Sequence, residues 1–240
     1  IIACPSLRDD IVVTRIRDEE QARMMAGFAV WHVVHHHRRM GTYIAHQASR
    51  TWDRSFRADM ASDVTVGILG FGLMGRQTAR VLATMGYNVI GASRSGGAPE
   101  TGVEILSGAS AIAETAARSD ILINLLPLTE HTRDILNADL FATMPTGAVL
   151  VQLGRGEHLI ESDLLAALDA GQLSAASLDV FRHEPLPQHS PFWSHDQVLV
   201  TPHKASDTTR AEILRQLANN YAALLQGRTP PGAVNRDAGY

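Results

Sequence analysis

Short runs of apolar residues alternate with amphipathic segments over most of this chain. Six such runs are predicted to be buried strands, at 64–69, 87–93, 120–126, 147–153, 175–180 and 197–201. Continuous apolar runs of this length are typical of strands that are covered on both faces of a parallel sheet. Segments with helical periodicity lie between them, at 76–85, 109–117, 133–141 and 161–170. This order predicts an α/β fold with a doubly wound parallel sheet and right-handed crossovers.

The regions that flank the alternating part are predicted to be mainly helical. Residues 11–16 are a short strand candidate, and acidic residues at 18–20 begin a helical pattern that runs to Met40. The apolar stripe of this helix consists of Ala22, Met25, Ala29 and Val33. A polar connector at 42–63 follows, and a last helix is predicted at 207–226. Its apolar face consists of Ile213, Leu214, Leu217, Tyr221 and Leu225.

The composition is that of an ordinary globular protein and argues against several classes of partner. The 240 residues, 45% hydrophobic and 19% charged, suffice for one large domain or two small ones. The formal charge of −4 gives no basic field for nucleic acid, and no apolar stretch approaches the roughly 20 residues that span a bilayer. The single Cys4 cannot form an internal disulfide. We therefore expect a cytoplasmic protein without nucleic-acid or membrane partners.

A glycine-rich turn follows the first strand predicted after the connector. Gly70, Gly72 and Gly75 match G-x-G-x-x-G between a strand and a helix, the context that a dinucleotide-binding turn requires. The first glycine permits the tight turn, the second lets the backbone approach a pyrophosphate, and the third lets helix and strand pack closely. Backbone amides at the helix start, including those of Leu73 and Met74, are predicted to bind the anion. A glycine-rich turn without a ligand is the alternative.

The end of the next strand bears on which nicotinamide dinucleotide is bound. An NAD site usually has an Asp or Glu about 20 residues after the turn, on the ribose 2′-hydroxyl. This chain has Ser93, Arg94 and Ser95 there, and no acid before Glu100. Arg94 and the two hydroxyls can bind a 2′-phosphate, which a carboxylate would repel. We predict that NADPH is preferred and that NADH is possible. The alternative is that Arg94 is a solvated surface charge.

Three polar residues each stand just past one of the later apolar runs. Arg155, Glu184 and His203 come after the runs 148–153, 175–180 and 198–200. Ligands of open α/β sheets bind beyond the carboxyl ends of the strands, so we expect these side chains at one crevice. An arginine can bind a carboxylate in bidentate fashion, a histidine can donate a proton near neutral pH, and a carboxylate can orient that histidine. The three residues predict a catalytic site, although a helix cap, a surface acid and a loop histidine are the structural alternatives.

Five histidines near the start of the chain could be taken for metal ligands, but their spacing does not favour a metal site. They are His32, His35, His36, His37 and His46. No cysteine or acid stands at a matching spacing, so we expect no metal site and instead a solvated or interface face. The helix also carries Met24, Met25, Trp31 and Met40, which we expect in the core or at a subunit interface.

Several longer motifs follow one another in a fixed order from about residue 5 to residue 240. They include HHHRRMGTY, ILINLLPLTEHT, LGRGEHLIESDLLAALDAGQL, LDVFRHEPLPQHSPFW, TPHKA and VNRDAGY. Together with the glycine turn, they resemble the D-isomer-specific 2-hydroxyacid dehydrogenases, and the chain looks closest to the glyoxylate/hydroxypyruvate reductase A type of that family. The resemblance implies a Rossmann-type dinucleotide-binding domain, small 2-oxo acids as substrates, and a homodimer packed through residues 21–60.

The resemblance also implies roles for individual residues. Arg155 takes the place of the arginine that binds the substrate carboxylate and carbonyl, Glu184 that of the acid that orients the histidine, and His203 that of the proton donor. Asp179 would contact the nicotinamide carboxamide, and the backbone at Gly154 would lie beside the nicotinamide. Three further residues would line the dinucleotide: Leu126, Pro127 and Thr132.

Two positions depart from the pattern of the family. Gly154 stands where alanine is usual, which loosens the backbone there. Lys204 brings a cation next to His203 where an apolar residue is more usual, and this charge would disturb the proton donor unless it points to solvent.

The length of the chain departs from the family as well. Family members carry a longer N-terminal part of a flavodoxin-like substrate domain, including a Gly-rich loop that holds the substrate carboxylate. Here residues 1–20 and 205–240 represent that domain, and residues 21–204 form the dinucleotide-binding domain. These pieces are too few to bury a core. We therefore expect an incomplete substrate domain, either because the chain is a fragment or because residues precede Ile1.

Two functions of different classes remain open from the sequence. The first is an NADPH-dependent reductase of glyoxylate or hydroxypyruvate. The second is a non-catalytic, corepressor-like module that senses dinucleotides, since such sensors can keep Arg155, Glu184 and His203. A phosphite or formate dehydrogenase-like oxidase is a third interpretation, which Arg94 and the closing motif disfavour.

Overall fold

Seven parallel strands form the sheet in the described part of the chain. The structure, a computed structural model, describes residues 6–8 and 10–234. The strands are β1 (Thr65–Leu69), β2 (Asn88–Ser93), β3 (Val103–Ser107), β4 (Ile121–Asn124), β5 (Ala148–Gln152), β6 (Leu173–Leu178) and β7 (Val198–Val200). Their order across the sheet is β3-β2-β1-β4-β5-β6-β7, and all neighbours are parallel. The predicted doubly wound α/β sheet is thus confirmed.

One strand, β3, is absent from the sequence-based prediction. It lies at the edge of the sheet and pairs only with β2. Its residues are partly buried or exposed, and Glu104 interrupts the apolar stretch. An edge strand of this kind lacks the continuous apolar run by which the inner strands are recognised.

Helices cover both faces of the sheet. They are α1 (Glu19–His37), α2 (Met40–Ala48), α3 (Leu73–Thr84), α4 (Ala111–Ala117), α5 (Ala138–Thr143), α6 (Glu161–Asp169) and α7 (Arg210–Leu225). Val33 of α1 and Leu82 of α3 belong to the apolar core on one face. Ala116 of α4, Phe141 of α5 and Leu164 of α6 belong to the core on the other. Because both faces are covered, the inner strands are buried and largely apolar.

The apolar stripe predicted for α1 is confirmed, whereas its predicted end is wrong. All four members of the stripe are buried. Asp18 caps the helix start, where its carboxylate accepts the Glu20 N–H at 2.9 Å. The helix ends at His37 because Arg39 takes a left-handed conformation with φ 50°. A further helix, α2, then occupies the start of the region predicted as a polar connector.

Three other predicted elements need correction. Residues 11–16 form no strand, and Thr14 makes only a single antiparallel bridge to Ala233. The helix predicted at 133–141 begins at Ala138, because Asn137 caps it by accepting the Leu140 N–H at 3.0 Å. The last helix begins at Arg210 rather than at 207, since the Thr209 side chain caps it.

The two ends of the described chain are hydrogen-bonded to each other. The Arg15 N–H donates to the Gly232 carbonyl at 3.0 Å, and the Val234 N–H donates to the Val13 carbonyl at 2.8 Å. The five apolar side chains predicted on one face of α7 are exposed. The predicted substrate-domain ranges 1–20 and 205–240 extend beyond the described residues, and Cys4 and most of the VNRDAGY motif lie outside them.

Candidate active site

The glycine turn after β1 has the shape of a phosphate cradle. Gly70 has φ +95°, and a Cβ atom there would collide with the backbone of Leu125. A Cβ at Gly75 would collide with the Gly70 carbonyl. At Gly72, which precedes the first residue of α3, a Cβ would meet no atom of the described chain within 4 Å. The turn is therefore tight where it touches the protein and open where a pyrophosphate would approach the amides of Leu73 and Met74.

The residues predicted to select the cofactor lie at the end of β2. The Ser93 hydroxyl donates to the Gly96 carbonyl at 2.5 Å and so closes the turn that follows the strand. Arg94 and Ser95 are exposed on that turn. The position is compatible with binding of a 2′-phosphate, and the role of these side chains stays a prediction.

An arginine that the sequence analysis did not single out lies beside this turn. The Arg76 guanidinium stacks on the Phe71 ring at 4.7 Å and donates to the Ala98 carbonyl at 2.8 Å. Glu100 approaches Arg76 at 3.6 Å and binds Arg80 at 2.7 Å. Hydrogen bonds from Arg80 lower the pKa of Glu100, so this acid is charged and already engaged by two arginines. No local pattern predicts these pairs, because more than twenty residues separate Arg76 from Ala98 and Glu100.

The three polar residues predicted at strand ends follow neighbouring strands. β5, β6 and β7 are adjacent, so the segments after them leave the same edge of the sheet. His203 Nδ1 lies 2.7 Å from Glu184 Oε2, and Glu184 Oε1 accepts the Phe181 N–H at 2.9 Å. Partial burial acts to raise the pKa of Glu184, but these hydrogen bonds and the nearby charges of His203 and Arg155 outweigh it and lower the pKa. The structure thus brings all three residues together.

Asp179 organises the loop that carries His203. Its buried carboxylate accepts the Thr201 hydroxyl at 2.6 Å and the backbone N–H groups of Lys204 and Ala205, each at 3.0 Å. These bonds hold the backbone around His203, which is left-handed with φ 53°. The predicted contact of Asp179 with a nicotinamide carboxamide stays a prediction. The Lys204 ammonium binds Asp207 at 2.7 Å and is exposed, so this charge is solvated and paired with an acid.

Two backbone segments pack closely beside the candidate site, the one after β5 and the one after β6. A Cβ at Gly156 would collide with the backbone of Phe181 and Arg182. Arg182 adds a second link, because its side chain donates to the Leu159 carbonyl at 2.6 Å. The segment after β5 is therefore fixed against the segment after β6.

Buried polar side chains hold the backbone on either side of the Arg155 side chain. The Arg155 N–H donates to His158 Nδ1 at 3.1 Å, and the Arg155 carbonyl accepts from Gln152 Nε2 at 2.9 Å. Gln152 Oε1 accepts the Gly154 N–H at 3.2 Å and the Asn124 amide at 2.7 Å. Gln152, His158 and Asn124 are fully buried, and no pattern in the sequence predicts a role for any of them.

The loop after β4 packs against this network. The Leu126 N–H donates to Asn124 Oδ1 at 3.2 Å. The Thr132 hydroxyl donates to the Pro127 carbonyl at 2.7 Å and accepts the Thr129 N–H at 2.8 Å. These bonds give the loop a fixed shape, and its predicted contact with a dinucleotide is untested.

Two of the histidines predicted at a solvated or interface face, His32 and His36, are not solvated, and the interface alternative is untested. His32 is fully buried, and its Nδ1 lies 2.9 Å from the Ser177 hydroxyl, which His36 Nε2 also approaches at 2.7 Å. Burial lowers the pKa of His32 to about 4 and that of His36 to about 3. Among residues 6–8 and 10–234, no three His, Cys, Asp or Glu side chains are grouped as metal ligands. In the same ranges, no helix is long and apolar enough to cross a membrane.

Comparison with known proteins adds relatives in both sequence and structure. The NAD-binding domain of the D-isomer-specific 2-hydroxyacid dehydrogenases matches residues 30–205. Glyoxylate/hydroxypyruvate reductase A of Serratia proteamaculans (strain 568) is 42% identical over 232 residues, which are 96% of this chain and 73% of that protein. The protein of the same name from Klebsiella pneumoniae (strain 342) is 38% identical, with the same two shares.

Two solved structures extend the comparison to bound cofactors. A D-isomer-specific 2-hydroxyacid dehydrogenase from Xanthobacter autotrophicus Py2, in complex with NADPH and MES, matches with a TM-score of 0.94 and 36% identity, covering 100% of this chain and 98% of that one. The NADPH-dependent glyoxylate/hydroxypyruvate reductase of Sinorhizobium meliloti, in complex with NADP and sulfate, matches with a TM-score of 0.92 and 36% identity, covering 100% of this chain and 76% of that one.

Proposed function

Because this chain belongs to the D-isomer-specific 2-hydroxyacid dehydrogenases, which are NAD(P)-dependent enzymes, we propose that it reduces small 2-oxo acids to 2-hydroxy acids. Glyoxylate and hydroxypyruvate are the proposed substrates, and NADPH is the preferred cofactor. The contact of 2.7 Å between His203 and Glu184 carries the proposal, since it lies near Arg155 and couples a carboxylate to a proton donor.

His203 is the proposed donor of the proton. Glu184 binds Nδ1, so Nε2 is the ring nitrogen that remains for the carbonyl oxygen of the substrate. The lowered pKa of Glu184 keeps its carboxylate charged at neutral pH, so that it can accept the Nδ1 proton and hold the orientation of the ring. Reduction places a hydride on the carbonyl carbon and the Nε2 proton on its oxygen, which leaves His203 neutral.

Arg155 is the proposed anchor of the substrate. Its side chain is exposed at the sheet edge, and one guanidinium N–H donates to the Gly154 carbonyl at 2.6 Å. A guanidinium stays charged at any working pH, binds a carboxylate in bidentate fashion and polarises a neighbouring carbonyl. This anchor would direct the 2-oxo group of the substrate towards His203.

The residues around the glycine turn fit a nicotinamide dinucleotide. Gly70, Gly72 and Gly75 would shape the pyrophosphate cradle, with the amides of Leu73 and Met74 facing the anion. Three residues would bind a 2′-phosphate: Ser93, Arg94 and Ser95. The nicotinamide half would be held by Leu126, Pro127, Thr132, Gly154 and Asp179. When bound, the cofactor supplies the hydride.

We further propose a homodimer packed through residues 21–60. This region exposes large apolar side chains of a kind that monomers rarely leave uncovered in numbers: Met24, Trp31, Ile44, Trp52 and Met60. The exposed apolar face of α7 supports the proposal that residues 1–20 and 205–240 belong to a substrate domain. A cytoplasmic location stays a prediction.

Absorbance of NADPH at 340 nm, followed with the full chain and a panel of 2-oxo acids, tests the function. We expect oxidation with glyoxylate and hydroxypyruvate and loss of that activity in His203→Ala. If the protein binds NADPH but oxidises it with none of the acids, the reductase proposal fails and the dinucleotide-sensing module is supported.

A further inference from the structure

The side chains that hold Arg155 take no part in the proposed chemistry. His158 is fully buried, and its ring reaches the N–H of the substrate-binding arginine itself. A buried polar group costs free energy unless it is hydrogen-bonded. We therefore expect the imidazole at this position to make a hydrogen bond that an apolar side chain could not make.

Two donors determine which nitrogen of His158 carries the proton. The Arg155 N–H can only donate, and the Asn124 amide nitrogen approaches the same Nδ1 at 3.0 Å. Nδ1 must therefore present a lone pair, and the proton of the neutral ring lies on Nε2. Burial lowers the pKa of His158, with the Pro127 carbonyl acting in the opposite direction. Nε2 has no hydrogen-bond partner among the described residues.

Gly154 provides the space for this arrangement. A Cβ atom at that position would lie 2.8 Å from Asn124 Nδ2 and 2.9 Å from His158 Nδ1. These distances are shorter than carbon–nitrogen contacts allow, so an alanine would displace the ring from the Arg155 N–H. The His158 ring can therefore take this position because the residue at 154 is glycine rather than the alanine of the family pattern.

We infer that His158 is a positioning residue for Arg155, whose Nδ1 fixes the Arg155 peptide so that the guanidinium faces the Glu184–His203 pair. The inference rests on the proposed function, because it assigns Arg155 to the substrate carboxylate. His158 acts through the backbone and does not touch the substrate. Its loss should weaken binding of the 2-oxo acid more than binding of NADPH.

Three substitutions at one position separate hydrogen bonding from packing. His158→Phe keeps a ring and removes the acceptor. His158→Asn keeps an acceptor near the place of Nδ1, whereas His158→Gln extends its polar end towards the place of Nε2. His32→Phe is the matched control, because it makes the same change at another fully buried histidine that is bound to Ser177.

The measured quantities are the KM and kcat for glyoxylate, the KM for NADPH, and the affinity of the NADPH-loaded protein for oxamate by calorimetry. We expect His158→Phe and His158→Gln to raise the KM for glyoxylate and the Kd for oxamate about tenfold. His158→Asn should stay within about threefold of the parent protein, as should His32→Phe. The KM for NADPH should change little in all four variants.

Three results would overturn the inference. They are an unchanged oxamate affinity in His158→Phe, an equal loss in His158→Asn, and an equal loss in the His32→Phe control. If His158→Phe does not fold, the comparison of His158→Asn with His158→Gln still tests whether an acceptor at the place of Nδ1 is required. Failure of the proposed function gives a different result, since the parent protein would then reduce no 2-oxo acid.

Discussion

We predict that the two buried histidines of α1 make the folded protein less stable as the pH falls below 6.5. His32 and His36 are held around Ser177 with pKa values of about 4 and about 3, against 6.5 for a solvated histidine. Below pH 6.5 the unfolded chain therefore binds protons that the folded chain does not. The sign follows from linkage: stability conferred by neutral burial is present above pH 6.5 and is lost as the pH falls towards the lowered values.

The size of the effect can be worked out from these shifts. Each histidine lowers the free energy of unfolding by about 1.4 kcal/mol per pH unit within this window. At pH 5, about 1.5 units below the value for a solvated histidine, each costs about 2 kcal/mol and the two together about 4 kcal/mol. This is a large part of the roughly 5–15 kcal/mol by which domains are stable.

Urea denaturation at several pH values between 8 and 5 measures this loss. The double variant His32→Gln/His36→Gln keeps polar groups near Ser177 that do not titrate, so its free energy of unfolding should fall by about 4 kcal/mol less over this range. His189→Gln, at an exposed position, is the control and should follow the parent protein. Identical pH dependence in the parent protein and the double variant would refute the reasoning.

Three further predictions concern the cofactor and the catalytic groups. Gly72→Ala should leave the melting temperature near that of the parent protein, because the added Cβ meets open space in the protein. It should weaken NADPH binding about tenfold or more, because the Cβ would face the pyrophosphate in the proposed complex; unchanged affinity by fluorescence titration would contradict the proposed phosphate cradle. Arg94→Ala should reduce the preference for NADPH over NADH by about 10- to 100-fold in kcat/KM, and an equal preference before and after the change would count against a 2′-phosphate contact. His203→Ala should lower kcat by about 10²–10⁴-fold, whereas Arg155→Ala should mainly raise the KM for the 2-oxo acid; steady-state kinetics that show wild-type turnover in His203→Ala would remove it as proton donor.

The sheet and the grouping of the candidate site could be predicted from the sequence for one physical reason. Parallel strands buried on both faces are continuous apolar runs, and whatever follows them meets at one edge. The same reasoning predicts that Arg155, Glu184 and His203 lie at one edge of the sheet. It failed for β3, because an edge strand lacks such a run, and for α2, because this short helix buries none of its residues and follows the preceding helix after a break at Arg39.

Other features depend on contacts that no local pattern contains. The bonds among Asn124, Gln152 and His158 join residues from separate strands and turns, so the network appears only when the sheet is assembled. The buried histidines of α1 are different, since His32 and His36 continue the stripe of Ala29 and Val33 at helical spacing. This spacing indicates a buried position for both histidines, whereas the polarity of the imidazole ring favours an exposed one.

The order of the strands places the candidate site residues in two groups, one in each half of the sheet. The glycine turn and Arg94 follow β1 and β2, whereas Arg155, Glu184 and His203 follow β5, β6 and β7, with β4 between the two groups. If the proposed roles hold, the choice of electron donor and the binding of the acid to be reduced depend on segments that follow different strands. Each group of segments could then be altered by design or by evolution while the other is kept. A change of cofactor preference would not require a change of substrate.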